Sequence, residues 1–174
     1  TLLYHGVRKK KGMYYKPIQS GGISKNGKLY APDVLSLCQI ERMDYQEEMV
    51  TYVLEAEVSP HLASELEGTI IEIEKIKKHF TKLCEQYDYL IVEGAGGLQV
   101  PLIRDQYHIY DLIKDFGFPV ILVSSAKVGS INHAILTIES LEKLGISLHG
   151  ILFNRVKDTE ESKLYEQDNI EIIL

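Results

Sequence analysis

A chain of 174 residues with 45% hydrophobic and 25% charged residues has the length and composition of one soluble globular domain with a sizeable core. Its formal net charge of −6 argues against a nucleic-acid binder, although a local phosphate site stays compatible with it. No apolar run is long enough to span a bilayer, no signal-peptide pattern opens the sequence as given, and the six histidines form no HxxxH pair that would favour zinc. Cys38 and Cys84 lie in predicted helices without a CxxC-type partner, so buried, reduced thiols in a cytoplasmic protein are expected.

In chain order, residues 1–11 have helical character, with Leu2, Leu3 and Val7 apolar. Residues 12–18 read as a strand ending at Lys16-Pro17, and 32–42 as a short helix with Pro32 suited to its first turn. Residues 49–54 read as a strand at an edge. Ile73, Ile76, Phe80, Leu83 and Tyr87 recur at steps of three and four, which marks an amphipathic helix. Tyr89-Leu90-Ile91-Val92 follows as an apolar run that predicts a strand buried on both faces, and 119–125 as another. Ser130 is placed to N-cap a helix carrying Ile131, Ile135, Ile138 and Leu141, which Gly145 would end. Residues 148–153 and 169–174 read as two further strands. Strand and helix alternate, which predicts an α/β fold with a doubly wound, mostly parallel sheet and helices on both faces.

Residues 1–174 are expected to form a single α/β domain that is incomplete at both ends. The sequence opens on a helix with no cap or preceding strand, and it closes on an apolar strand with nothing to cover it.

The most informative segment is Tyr89-Leu90-Ile91-Val92-Glu93-Gly94-Ala95-Gly96-Gly97. Ligands of parallel sheets bind beyond the carboxyl ends of the strands, and Glu93 stands at such an end. A carboxylate there suits a metal ion, a general base or a binding contact; it also suits the plain polar end of a strand. Gly94, Gly96 and Gly97 permit close approach to the backbone. Lys16, in Lys16-Pro17-Ile18-Gln19-Ser20-Gly21-Gly22, falls near the same sheet edge and can neutralise phosphate or carboxylate oxygens, unless it is a solvated turn residue. Ser20 adds a hydroxyl in a glycine-rich loop whose amides can also donate. Asp33 suits the positive end of a helix dipole, or a place beside Glu93 around Mg²⁺, which needs only one or two carboxylates. The loop Ala126-Lys127-Val128-Gly129-Ser130-Ile131-Asn132-His133 opens onto a helix, as an anion site or as a well-capped helix start. Asn154 either reads a nucleobase through its paired donor and acceptor or terminates a strand.

Taken in order and spacing, these segments resemble dethiobiotin synthetase, an ATP-dependent family of biotin synthesis with a P-loop NTPase fold. The resemblance runs from about Tyr14 to Val156. It is carried by Tyr15-Lys16-Pro17-Ile18-Gln19-Ser20-Gly21, Ala31-Pro32-Asp33, Ser59-Pro60-His61-Leu62-Ala63, Val92-Glu93-Gly94-Ala95-Gly96-Gly97, Pro101-Leu102, Gly129-Ser130-Ile131-Asn132-His133 and Asn154-Arg155-Val156.

It implies that Asp33 and Glu93 help bind Mg²⁺, and that Lys16 contacts the transferred phosphate and the substrate carbamate. Ser20 would hydrogen-bond that carbamate, and Pro60 would lie in a loop near the substrate. Asn154 would contact adenine, with Glu93, Gly94 and Gly96 facing the nucleotide. Gly129, Ser130, Ile131 and Asn132 would hold the substrate's distal carboxylate across a homodimer interface. The implied partners are ATP, CO₂ and diaminopelargonate, with no nucleic acid and no membrane. The sequence departs from the family in having no GxxxxGK[ST] phosphate loop within its 174 residues. Two other readings stand beside this one: another ATP-dependent amide-forming synthetase of the same fold, and a degenerate dimeric binding module without turnover.

Overall fold

Strand β1, Gly12–Gln19, is buried along all eight of its residues, and the first part of the molecule is built around it. The structure, a computed structural model, describes the backbone of residues 2–154 and 160–174 and the side chains of 2–154 and 165–174. Thr1, and the Arg155-Val156 pair that forms part of the family resemblance, lie outside the described residues. Two compact units are present, Thr1–Phe116 and Gly117–Leu174.

In the first unit, helix α1 (Leu2–Val7) continues as a 3₁₀ turn and leads into β1. A Cβ at Gly12 would lie 2.6 Å from the Val7 carbonyl oxygen, so only glycine lets the chain fold back here. An Asn26-Gly27 turn, with φ of 52° and 76°, joins β2 (Ile23–Lys25) to β3 (Lys28–Tyr30) in an antiparallel hairpin. Helix α2 (Pro32–Glu41) follows with Pro32 in its first turn, as the sequence predicts. Then come β4 (Val50–Val53), α3 (Pro60–Glu67), α4 (Ile73–Gln86), β5 (Tyr89–Val92), the antiparallel pair β6 (Pro101–Ile103) and β7 (Tyr107–His108), and α5 (Ile109–Phe116).

The strand order is β4-β1-β5, and both pairings are parallel. One cluster on this sheet joins Tyr4, Met13, Tyr14, Tyr15, Val34, Leu37 and Leu83, and a second joins Ile18, Leu54, Ile76, Leu102 and Leu112. Helix α4 buries Ile76 and Leu83 and stacks Phe80 on Phe116 with ring centroids 3.8 Å apart. The register sets Lys16 opposite Val50 and Tyr15 opposite Val92, so β5 ends beside the middle of β1 and the next residue, Glu93, comes out next to Lys16.

In the second unit, β8 (Val120–Ser125) pairs in parallel with β9 (Leu148–Asn154). Helix α6 (Ser130–Lys143) connects them, and α7 (Glu160–Ile173) follows. The parallel α/β architecture expected from the sequence is therefore the one found.

Several local expectations are corrected. Of residues 169–174, read as a strand, 169–173 belong to helix α7 and Leu174 follows it. Glu166, Asn169 and Ile173 are buried at helical spacing, whereas Ile172 and Leu174 are 52% and 82% exposed. A short apolar run carries no decisive period, and the helical face is shown only by what it packs against. The Tyr89–Val92 strand is not buried on both faces: Tyr89 is 47% exposed, because β5 pairs only with β1 among the described residues. The strand buried on both faces is β1, which has a neighbour on each side. The second apolar run likewise leaves Val123 exposed. Ser130 is the first residue of α6 and caps nothing: the N-cap is Gly129, at φ 92°. Of the two thiols expected to be buried, Cys38 is buried and Cys84 is exposed; both are free.

Candidate active site

Lys16 carries a charge on a strand with almost no access to water: it is 4% exposed. An ammonium ion in that setting needs charged partners and hydrogen-bond acceptors. It has both. Its Nζ lies 2.6 Å from Asp33 Oδ2 and 3.0 Å from Glu93 Oε1, and it donates to the Gly94 carbonyl at 3.1 Å. Asp33 comes from the first turn of α2, where the helix dipole favours a carboxylate. Glu93 comes from the residue after β5, held by its own amide donating to the Tyr15 carbonyl at 2.9 Å. The two carboxylates keep about half of their side-chain surface open, at 45% and 50%.

Tyr14 completes the cluster. It stands two residues before Lys16, so both side chains leave β1 on the same face. Its hydroxyl donates to Glu93 Oε2 at 2.9 Å. Burial, and then the adjacent Glu93 charge, push the Tyr14 phenol far above the ordinary tyrosine value, so it remains a neutral donor. Tyr14, Asp33, Ser36, Leu37 and Glu93 line a polar cavity of about 170 Å³. Ser36 lies three residues after Asp33, on the same side of α2. Sequence reasoning missed Tyr14 and Ser36, although their spacing from Lys16 and Asp33 was a usable signal.

A second cavity, about 300 Å³, lies between α3 and β6; His61 and Leu102 from the resemblance motifs line it, but none of the residues given a role in the chemistry does. Its arginine, Arg104, is already held by Glu65 through two hydrogen bonds of 2.8 Å. The smaller cavity is the one with chemistry in it.

The loop after β1 differs from its expected use. Gly21 and Gly22 donate their amides to the carbonyls of Ala56 and Leu54, at 3.0 and 2.8 Å, so these donors hold the loop against the chain that follows β4. Ser20 is half-buried, and its carbonyl accepts from the Gln19 side-chain amide at 2.8 Å. After Glu93, Gly94 supplies the carbonyl that Lys16 uses, while Gly96 adopts φ 84° to turn the chain. Pro60 does not sit in a loop; it is the buried first residue of α3, and it is not among the residues lining the Lys16 cavity.

The remaining expected residues lie in the second unit. Ser130 is buried, its Oγ 2.7 Å from Ser125 Oγ and its amide donating to the Lys127 carbonyl at 3.0 Å. Both of its polar groups are thus engaged within the unit. Gly129 and Asn132 are exposed and Ile131 is half-buried at the start of α6, where first-turn amides have no intrahelical acceptor. Asn154 is the exposed last residue of β9.

Asp33 and Glu93 are two carboxylate donors on one cavity, a set that matches Mg²⁺ completed by water and phosphate oxygens. Among the described residues, no group of three or more His, Cys, Asp or Glu is placed to hold a metal without such help. No helix among the described residues is long and apolar enough to cross a membrane.

A family model described as an AAA domain matches residues 1–174. The chain is 53% identical over 174 residues to the ATP-dependent dethiobiotin synthetase BioD of Fusobacterium nucleatum, covering all of this chain and 78% of that protein. It is 40% identical over 159 residues to the protein of the same name from Anoxybacillus flavithermus, covering 91% of this chain and 70% of the relative. The Clostridium perfringens protein of that name is 38% identical over 163 residues, covering 92% and 70%. With this identity along its whole length, and with Lys16, Asp33 and Glu93 joined beside the carboxyl end of β5, the chain belongs to the ATP-dependent dethiobiotin synthetase family.

Proposed function

We propose that the protein closes the cyclic urea of dethiobiotin from diaminopelargonate and CO₂ at the expense of ATP, in biotin biosynthesis. The observation that carries this reading is the buried Lys16 ammonium held against Asp33 and Glu93, two carboxylates that line a polar cavity. One substrate amine takes up CO₂ as a carbamate and releases a proton. A carbamate oxygen then attacks the γ-phosphorus of ATP and ADP leaves. The second amine attacks the carbonyl of the mixed anhydride, phosphate departs with the C–O bonding pair, and loss of the amine proton leaves the cyclic urea.

Every reacting oxygen in this sequence is anionic, so positioned cations and dipoles supply most of the acceleration. Lys16 neutralises the carbamate and the transferred phosphoryl group. Its burial strengthens that interaction, because little water screens it. Ser20 donates its hydroxyl to the carbamate. Asp33 and Glu93 would hold Mg²⁺, which when bound draws charge from the phosphate oxygens. When substrate and cation arrive, Lys16 passes from the carboxylates to the carbamate and phosphate oxygens, and the cation takes its place beside Asp33 and Glu93.

In the same reading Asn154 meets adenine through its amide, and Gly94 and Gly96 border the nucleotide. The start of α6, Gly129, Ser130, Ile131 and Asn132, receives the distal carboxylate of diaminopelargonate across a homodimer interface. Because Ser130 is already engaged within its own unit, the amides of Ile131 and Asn132 are the donors assigned to that carboxylate. Pro60 borders the substrate. The free thiols of Cys38 and Cys84 fit a cytoplasmic setting.

The test incubates purified protein with diaminopelargonate, bicarbonate and Mg²⁺-ATP. Formation of the cyclic urea with one phosphate released per ring is expected, and Glu93→Gln should require far more Mg²⁺ for the same rate. Absence of the ring product, with ATP and diaminopelargonate both bound, would refute the assignment.

A further inference from the structure

We propose that Tyr14 makes Glu93 a one-oxygen ligand and thereby sets the preference of the site for Mg²⁺ over Ca²⁺. The proposal rests on the assignment of Glu93 to a divalent cation made above. Tyr14 is a positioning residue, since it acts on the cation only through Glu93.

The two oxygens of Glu93 are not equivalent. Oε2 accepts the Tyr14 hydroxyl at 2.9 Å, while Oε1 faces the Lys16 ammonium at 3.0 Å. Tyr14 cannot follow a turning carboxylate. It is 2% exposed, sits on the central strand of β4-β1-β5, and packs edge-on against Tyr4 with ring centroids 6.5 Å apart. The backbone of Glu93 is fixed as well, through its amide bond to Tyr15. A carboxylate anchored at its backbone and at one oxygen has lost the rotation that would aim both oxygens at one ion. Oε1 is left as the oxygen that exchanges between ammonium and cation.

The two hard cations of biology respond differently to that restraint. Mg²⁺ demands near-octahedral ligands at about 2.0–2.1 Å and is served by single oxygens with water and phosphate; Ca²⁺ takes about 6–8 oxygens at 2.3–2.6 Å, often including a carboxylate that gives both. A Glu93 confined to one oxygen withholds from Ca²⁺ the ligand it would gain by using two. Asp33, the other carboxylate on the cavity, cannot make up the deficit alone.

The experiment loads the protein with Mn²⁺, follows it by water-proton relaxation, and displaces it with Mg²⁺ or Ca²⁺ in wild type, Tyr14→Phe and Glu93→Gln. The expected result is a Tyr14→Phe protein whose ratio of Ca²⁺ to Mg²⁺ affinity rises at least threefold, with Mn²⁺ still bound. An unchanged ratio in Tyr14→Phe, beside weakened Mn²⁺ binding in Glu93→Gln, overturns the proposal and leaves the Glu93 assignment standing. Unchanged Mn²⁺ binding in Glu93→Gln instead overturns that assignment and the proposal with it. Infrared difference spectra of the wild type decide the matter without the Tyr14 variant. The Glu93 carboxylate bands, assigned by their loss in Glu93→Gln, should show the wide splitting of one-oxygen ligation with Mg²⁺. The narrow splitting of two-oxygen ligation overturns the proposal.

Discussion

The Lys16 ammonium stands 2.6 Å from the Asp33 carboxylate, although one residue belongs to a fully buried strand and the other to the exposed first turn of a helix. The helix dipole already favours a negative charge at Asp33, and the lysine has no comparable solvation. Asp33 therefore serves two ends: it starts α2 and it stabilises a charge that β1 buries. Glu93 shares the second task, so the ammonium is neutralised before any ligand arrives and the two carboxylates together leave a surplus negative charge that suits a cation.

Replacing Lys16 with Met separates catalysis from folding. Methionine preserves the apolar stem and removes the charge, and the two half-exposed carboxylates can be hydrated. The melting temperature should stay within a few degrees of wild type. Turnover should fall by about 10²-fold or more, the scale seen when one positioned charge-stabilising donor is lost. Steady-state kinetics beside thermal denaturation checks this; a rate within a factor of two of wild type would remove Lys16 from the chemistry.

Gly96 combines φ 84° with a neighbour 3.0 Å from where a Cβ would lie, the Cγ2 of Val100. Gly96→Ala should cost about 1–2 kcal/mol from the left-handed backbone, with crowding against Val100 added to it. Urea denaturation measures the loss. A variant as stable as wild type would show that the turn after Glu93 relaxes freely.

His79 supplies a pH signature in the core beside the sheet. Its Nδ1 lies 2.8 Å from Thr51 Oγ1, and its ring meets Tyr15 edge-on at 5.0 Å. Burial, and then the Lys82 charge, hold its pKa below the ordinary 6.5. The unfolded chain consequently takes up a proton first as pH falls, so stability should drop from near pH 6.5 down towards the lower folded value. His79→Gln should flatten that part of the profile. Urea midpoints between about pH 8 and 5 read it out, and equal slopes in the two proteins would contradict it.

Asn169 holds α7 to the second unit by donating Nδ2 to the Ala126 carbonyl at 2.8 Å, with 9% of the residue exposed. Asn169→Ala leaves that buried carbonyl without its partner, a loss of about 1–3 kcal/mol. Hydrogen exchange should quicken in α7 and in the segment after β8, and leave β1 unchanged. Uniform protection in both units would show that the bond contributes nothing to local order.

The chain's order of elements was legible because its strong periods match what the structure uses. The apolar steps from Ile73 to Leu83 lie on one helix, with Tyr87 as its extended C-cap, and the glycine and proline punctuation marks turns and element ends. So were Lys16, Asp33 and Glu93, charges set among apolar runs and turns of a parallel α/β pattern. The sequence by itself determined these residue types, with Asp33 at the start of α2 and Glu93 just after β5; Lys16, read as a strand end, lies inside β1, which runs on to Gln19.

What only the tertiary structure decided is which groups meet and which are already taken. Spacing from Lys16 puts Tyr14 on the same face of β1, but its role as a donor shows only when Glu93 is packed beside its hydroxyl. Gly21, Gly22 and Ser130 looked like free donors; the first two are committed to Ala56 and Leu54, far along the chain, and Ser130 is taken up by Lys127 and Ser125 within its own loop. Residues 169–174 have the composition of a strand, and 169–173 became a helix because Glu166, Asn169 and Ile173 are buried at helical spacing. Local pattern fixes the period and the charge of a segment; pairing, burial and the fate of each hydrogen bond are properties of the assembled chain.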